Sequence, residues 1–115
     1  MIIPLTPADS PYTLTAEQFT EIINLKPDVR IICTGNGSID INLPLVSALP
    51  NQQGAVEVQI GDNLVDVKIN CAGPDKFATV LPGIADTVTI SVPAGSENFL
   101  YSINTAPPQG IWSVV

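Results

Sequence analysis

Short runs of alternating apolar and polar residues constrain this chain more than any other feature. The runs 39–43, 56–60, 65–69 and 88–92 each place Val, Ile or Leu at every second position, with polar residues between them. Because successive side chains of a β-strand point to opposite faces, each run predicts a strand with one buried and one solvated face. The 8 Gly and 11 Pro residues among 115 supply turns between such strands. The sequence therefore predicts an all-β fold.

Turn signals organise these runs into a small domain. Further strands are predicted at 29–34, 99–104 and 111–115, which gives seven or eight short strands. The segment 35–38, GNGS, predicts a tight turn with positive φ, and the turn at 61–63 predicts a hairpin between the strands on either side. This spacing is typical of a small antiparallel sandwich or barrel-like domain.

One short helix is predicted near the N-terminus. Thr15 and Gln18 fit a capping box, with Thr15 as N-cap and Gln18 three residues later. Phe19, Ile22 and Ile23 then form one apolar stripe at helical spacing. We expect one or two turns of helix packed on a sheet.

The first eleven residues predict an extended N-terminal arm, followed by a single β-rich domain over 12–115. Pro4, Pro7 and Pro11 fix φ and push the preceding residues towards extended geometry. The arm either lies across its own domain or reaches onto a neighbouring subunit.

The surface of so small a domain predicts a partner. The chain is 45% hydrophobic and 13% charged, whereas a domain of this length leaves roughly a third of its unfolded surface exposed. Apolar groups therefore remain at the surface of a monomer, and an oligomer or assembly would cover them.

The charged residues exclude several classes of function. Eleven acidic and 4 basic residues give a net charge of −7, and there is no histidine. Four scattered cations cannot form a phosphate-binding stripe, so no nucleic-acid partner is expected. Nucleophile pairs that depend on His are excluded. Asp62, Asn63 and Asp66 suggest a cation site, but turn and solvated-strand positions explain them better. We therefore expect no enzyme, no metal and no cofactor.

The sequence shows neither the pattern of a secretory leader nor that of a membrane span. Residues 1–7 lack a basic, then apolar, leader pattern, and no run approaches the roughly 20 apolar residues of a membrane span. We expect synthesis in a reducing cytoplasm and no membrane partner. Cys33 and Cys71 are then buried thiols, although an oxidising compartment would allow one disulfide.

The segments that carry a family resemblance run from residue 12 to the C-terminus. They are YTLT at 12–15, IDINLP at 39–44, LPN at 49–51, VDVKIN at 65–70 with AG at 72–73, VTISVPAG at 88–95 and GIWSVV at 110–115. Their order resembles the β-domains of tailed-bacteriophage appendages, namely capsid decoration (cement or head-fibre) proteins and the trimeric domains of tail fibres. Fibre proteins usually append such a module to a long shaft, so the resemblance favours a decoration protein.

The resemblance implies a structural role on the virion. It implies a homotrimer that binds the phage major capsid protein on the outer surface of the head and stabilises it, without catalytic residues. Our candidates for subunit or capsid contacts are Ile2, Ile3, Pro4, Leu5, Pro7, Tyr101 and Trp112. A competing arrangement places the arm inside the trimer and the loop 44–54 against the capsid.

The alternative function is a host-surface or glycan-binding module of a fibre. In that case Tyr101 and Trp112 would stack on sugar rings. The residues themselves favour Trp112 as a partly buried anchor in its own sheet or at a subunit contact.

Overall fold

The computed structural model describes residues 2–20, 22–23, 26–49, 55–61, 64–79, 89–92, 99–106 and 109–114. Within these ranges the chain is built from strands, and the all-β prediction is confirmed. The strands are β1 Ile2–Leu5, β2 Tyr12–Thr13, β3 Ile22–Ile23, β4 Lys26–Cys33, β5 Gly37–Asn42, β6 Ala55–Ile60, β7 Val65–Asn70, β8 Lys76–Thr79, β9 Thr89–Val92, β10 Phe99–Ala106 and β11 Gln109–Val114. Short 3₁₀ helices lie at Pro7–Asp9, Ala16–Thr20 and Val46–Ala48.

The strands form two sheets. A seven-stranded sheet has the order β1-β4-β6-β10-β11-β8, with β3 also paired to β4, and a four-stranded sheet has the order β2-β5-β7-β9. Buried residues of both sheets belong to one hydrophobic cluster, so the two sheets share a single core.

The first seven strands wind as three stacked coils, apart from β3. The first coil contributes β1 to the large sheet and β2 to the small one, the second contributes β4 and β5, and the third contributes β6 and β7. Equivalent strands pair in parallel from coil to coil, so that Ile3 lies beside Ile31 and Ile31 beside Val58. The inward-facing apolar residues therefore stack in continuous rows, each step just under thirty residues along the chain.

This arrangement corrects the predicted pairing. The hairpin predicted around residues 61–63 is wrong, because β6 and β7 lie in different sheets. The turn after β4 likewise carries the chain from one sheet to the other. The predicted antiparallel arrangement is wrong for the stacked coils and for the β8–β11 pair, which are parallel. Antiparallel pairs occur at β3–β4, β6–β10, β7–β9 and β10–β11.

The predicted N-terminal helix is replaced by shorter elements. Ala16–Thr20 is a five-residue 3₁₀ helix, and Ile22–Ile23 form β3. The Thr15 N–H donates to Gln18 Oε1 at 2.8 Å, which is one half of the predicted capping box. Phe19 is fully buried, as expected for a residue packed on a sheet. The pairing of β3 with β4 occupies the backbone groups that a longer helix would have used.

The corners of the coils also stack. Gly35 and Gly37 have φ of 105° and 136°, which confirms the predicted positive-φ turn. They lie under Pro7, and a Cβ on Gly35 would come within 2.9 Å of Pro7 Cδ. The turn after β4 thus needs glycine both for its backbone conformation and for the close approach of the first coil.

Candidate interaction surface

The N-terminal segment is part of the large sheet. β1 pairs in parallel with β4, with Ile2 beside Arg30 and Leu5 beside Cys33. Within the single chain, the strand Ile2–Leu5 therefore lies on its own domain. Its conformation is extended over Ile2–Leu5 and turns through a 3₁₀ helix before β2.

Alternation within β1 divides the predicted contact residues into two groups. Ile3 and Leu5 are buried at 8% and 2% exposure, so their side chains pack in the chain's own core. Ile2 is 62% exposed and Pro4 is exposed. Only the second group is accessible to a partner in this fold.

Pro7 has a packing role within the chain. It opens the first 3₁₀ helix and covers Gly35 and Gly37 of the second coil. Its half-buried ring fixes the distance between the first two corners.

Trp112 is a core residue in this fold. It is fully buried, and its ring centroid lies 6.3 Å from that of Phe19. A ring in this position can stack neither on a sugar nor on another subunit, so the glycan-binding alternative loses one of its two aromatic residues. Tyr101 lies in β10, in register with Val56 and Val114, and its side chain is outside the described residues.

The accessible surface at β1 continues across the neighbouring strands. Arg30 and Glu57 continue the row of Ile2, while Ile32 and Gln59 continue the row of Pro4. We call these six residues of the large sheet's outer side the β1 face. Its apolar members are Ile2, Pro4 and the half-buried Ile32.

The charges of the β1 face neutralise each other. Arg30 Nε lies 3.4 Å from Glu57 Oε1, with the two side chains 50% and 24% exposed. An ion pair this exposed adds little to stability, typically below about 1 kcal/mol. Its effect is local: the face has no net charge on a chain whose total is −7.

The outer side of the small sheet is polar, in contrast. Thr13, Asn42, Asn70 and Thr89 lie side by side across β2, β5, β7 and β9. Their side chains are joined by hydrogen bonds: Asn42 Nδ2 donates to Thr13 Oγ1 at 3.2 Å, Asn70 Nδ2 to Asn42 Oδ1 at 3.0 Å, and Thr89 Oγ1 to Asn70 Oδ1 at 2.8 Å. We call this row the polar ladder. The adjacent row holds Asp40, Lys68 and Ser91.

Sequence reasoning missed the polar ladder. Its signal is the recurrence of Ile-Asn at the ends of the runs 39–42 and 67–70. A repeat of 39–44 at 88–93 is visible in the sequence, but the described strand there, β9, pairs with β7 and not with β5. The repeat that marks the polar ladder is therefore the one between the neighbouring strands β5 and β7.

Cys33 is buried as predicted, whereas Cys71 is only half-buried. Burial raises the pKa of Cys33 to about 11. Burial, with a further contribution from the charge of Asp75, raises the pKa of Cys71 to about 12. Both cysteines are free thiols in this fold, so they do not form the disulfide that an oxidising compartment would have allowed.

The buried side chain of Asp75 joins two loops of the domain. It is 2% exposed, and its Oδ2 accepts the Val46 N–H at 2.8 Å, at the start of the third 3₁₀ helix. This bond ties the loop after β7 to the loop after β5, so the loops stack as the strands do.

Of the three residues of the candidate cation site, one lies in the described part of the chain. Asp66 is exposed on β7, beside Ser38, while Asp62 and Asn63 lie outside the described residues. Among the side chains that the structure describes, no group of three or more Cys, Asp or Glu converges as metal ligands would.

Comparison with known proteins identifies no relative. No family model, curated protein or solved structure matches the chain. Within the described ranges, no helix has the length and apolar character needed to cross a membrane.

Proposed function

We propose that the protein is a virion structural protein: a homotrimeric decoration protein that binds the outer surface of a phage head and stabilises it. The proposal combines the family resemblance with one observation that carries it, the neutral and partly apolar β1 face. It retains the predicted sandwich, with the two sheets as layers around their common core, as the unit that trimerises.

The exposure of Ile2 supports a subunit contact at this face. Its side chain is 62% exposed, beside the exposed Pro4 and the half-buried Ile32. Burying apolar surface of this kind is worth about 25 cal/mol per Å². A contact centred on Ile2 therefore gains free energy from side chains that a monomer leaves in water.

The charge distribution favours the β1 face, rather than the outer side of the small sheet, as the contact between copies of the chain. Two chains of net charge −7 repel each other. The repulsion is least where local charge is balanced, and the Arg30–Glu57 pair balances it on the β1 face. The small sheet presents Asp40, Asp66 and Lys68 on its outer side instead, and its polar ladder is already hydrogen-bonded.

Decoration then works through mass action. A trimer that binds the assembled head, and not free capsid protein, stabilises the head by the free energy of binding. Three linked copies also raise the avidity of a weak individual contact. The proposal thus requires no catalytic group.

The test compares phage heads with and without the protein. We expect heads stripped of it to burst at lower temperature or weaker osmotic shock, and added protein to restore their resistance. Ile2→Asp protein should fail to restore it, whereas the matched control Leu64→Asp, at an equally exposed leucine away from the β1 face, should succeed. Unchanged head resistance together with lost adsorption to cells would contradict decoration and support the fibre alternative.

A further inference from the structure

The first coil, residues 2–14, forms one end of the stack. β1 and β2 are the terminal strands of their sheets in the described part of the chain. An open strand edge offers unpaired N–H and C=O groups to which another chain can add. The outward-facing backbone groups of this coil therefore decide whether another strand can pair there.

One hydrogen bond fixes which groups of β1 face outward. The Thr34 N–H donates to the Leu5 carbonyl at 3.0 Å, so Leu5 faces β4. In an extended strand, the N–H and C=O of a residue point to the same side and successive residues alternate. Ile2, Pro4 and Thr6 consequently face the open edge.

Two of these three positions have no N–H to offer. Pro4 lacks the group altogether. The Thr6 N–H donates to Asp9 Oδ2 at 2.8 Å, and the Thr6 carbonyl accepts the Asp9 N–H at 2.9 Å. The ladder of donors that a pairing strand needs is therefore broken after Ile2.

The edge of β2 is interrupted in the same way. The Leu14 N–H donates to the Asn42 carbonyl at 2.9 Å, so Leu14 and Tyr12 face β5. By the same alternation Thr13 faces outward, and the residue before β2 on that side is Pro11, which has no N–H.

We propose that the first coil is an end cap that blocks strand pairing, so that another copy of the chain cannot add in register to β1 or β2. Pro4, Pro11 and the Asp9 carboxylate each remove one donor from the same end of the stack. The inference goes beyond the proposed function, because it applies to the free chain and directs partners to the sheet faces.

The test restores the missing donors one at a time. Pro4→Val supplies an N–H on β1, and it leaves the core intact because Pro4 is exposed. Asp9→Ala frees the Thr6 N–H by removing an exposed carboxylate. Leu64→Val is the matched control, since it changes an exposed apolar side chain away from the β1 face without adding a donor.

Each variant that unfolds cooperatively like the wild type is examined by sedimentation velocity over a concentration series, at high salt to screen the net charge. We expect species larger than the wild-type assembly to appear at a concentration about tenfold lower for Pro4→Val or Asp9→Ala than for Leu64→Val. Asp9→Ala decides the matter if Pro4→Val does not fold.

If every folded variant with a restored donor sediments like the wild type, the proposal that the first coil is an end cap is overturned. A monomeric wild type would contradict the proposed trimer instead. The comparison of the variants with the wild type would then still test whether the first coil blocks strand pairing.

Discussion

Asn70 donates a 3.0 Å hydrogen bond from Nδ2 to Oδ1 of Asn42 on the neighbouring strand of the small sheet. The two residues occupy the same position in successive coils, at the parallel β5–β7 pair. Further side-chain hydrogen bonds extend this row at both ends, to Thr13 on one side and to Thr89 on the other. The four strands are therefore joined by side chains as well as by their backbones. Asn70 is central, since it also accepts the hydroxyl of Thr89.

Removing Asn70 should therefore weaken the whole row. Asn70→Ala deletes two hydrogen bonds between half-buried or exposed partners, each worth about 0.5–1.5 kcal/mol net. We expect a loss of about 1–2 kcal/mol in the free energy of unfolding, measured with urea. Ser91→Ala, on the same outer side of the sheet, should change it by less than about 0.5 kcal/mol. Equal effects of the two substitutions would show that the ladder does not stabilise the sheet.

Stability should fall in alkali because of the two thiols. The pKa of Cys33 is about 11 and that of Cys71 about 12 in the folded chain, against an ordinary value of 9.0. Above pH 9 the unfolded thiols lose protons that the folded thiols keep, so stability is full below pH 9 and declines towards pH 11–12. For fully buried Cys33 the loss by pH 11 is about 2 kcal/mol.

The pH dependence can be isolated by substitution. The difference in unfolding free energy between the wild type and Cys33→Ala/Cys71→Ala, measured by urea titration at each pH, should shrink or reverse from pH 8.5 to pH 11. A difference that is constant over this range would contradict the raised pKa values of the two thiols.

Removing the Phe19 ring should destabilise the fold and change the environment of the Trp112 indole. The two rings pack at 6.3 Å in the core, and Trp112 is the chain's one tryptophan, so its fluorescence reports on this contact. Phe19→Ala should cost about 3–5 kcal/mol and shift the native emission to longer wavelength. Leu64→Ala, at a 62% exposed position, is the control and should change neither quantity appreciably. Native wild-type emission at the wavelength of a solvated indole would contradict the buried position of Trp112.

The contact between Gly35 and Pro7 should appear as an energetic coupling. Gly35→Ala combines an unfavourable φ of 105° with a Cβ placed 2.9 Å from Pro7 Cδ. We expect it to destabilise the fold by about 2 kcal/mol or more. In the Pro7→Ala background the steric part should be relieved, so the two effects should fall short of additivity by at least about 0.5 kcal/mol. If the two losses of unfolding free energy add strictly, Gly35 and Pro7 are not in the close contact described.

The positions of most strands could be predicted from alternation, but their partners could not. Alternation shows which residues face a core, as Ile39 and Ile41 do, because it reflects the period of a strand. It contains no information on which strand lies alongside. A short Gly-rich connection such as 35–37 serves equally as a hairpin turn or as a corner between sheets, and here it is a corner.

The candidate surface was predictable only in part. The proline-rich start predicted an extended arm over residues 1–11, but it gave no means of separating the buried Ile3 and Leu5 from the exposed Ile2 and Pro4. That division depends on the pairing of β1 with β4, which joins residues far apart in the sequence. Trp112 was placed near a surface for a similar reason: the apolar stripe placed Phe19 against a sheet, but it did not show that Phe19 packs against Trp112.

Sedimentation equilibrium of the wild-type chain and of Ile2→Asp is the most direct test of trimer assembly through the β1 face. We expect a mass of three times the 12.1 kDa chain for the wild type, and dissociation towards 12.1 kDa when a carboxylate is placed in the β1 face. Leu64→Asp should retain the mass of the trimer. A wild-type mass of 12.1 kDa at every concentration, or an Ile2→Asp protein that remains trimeric, would contradict assembly through this face.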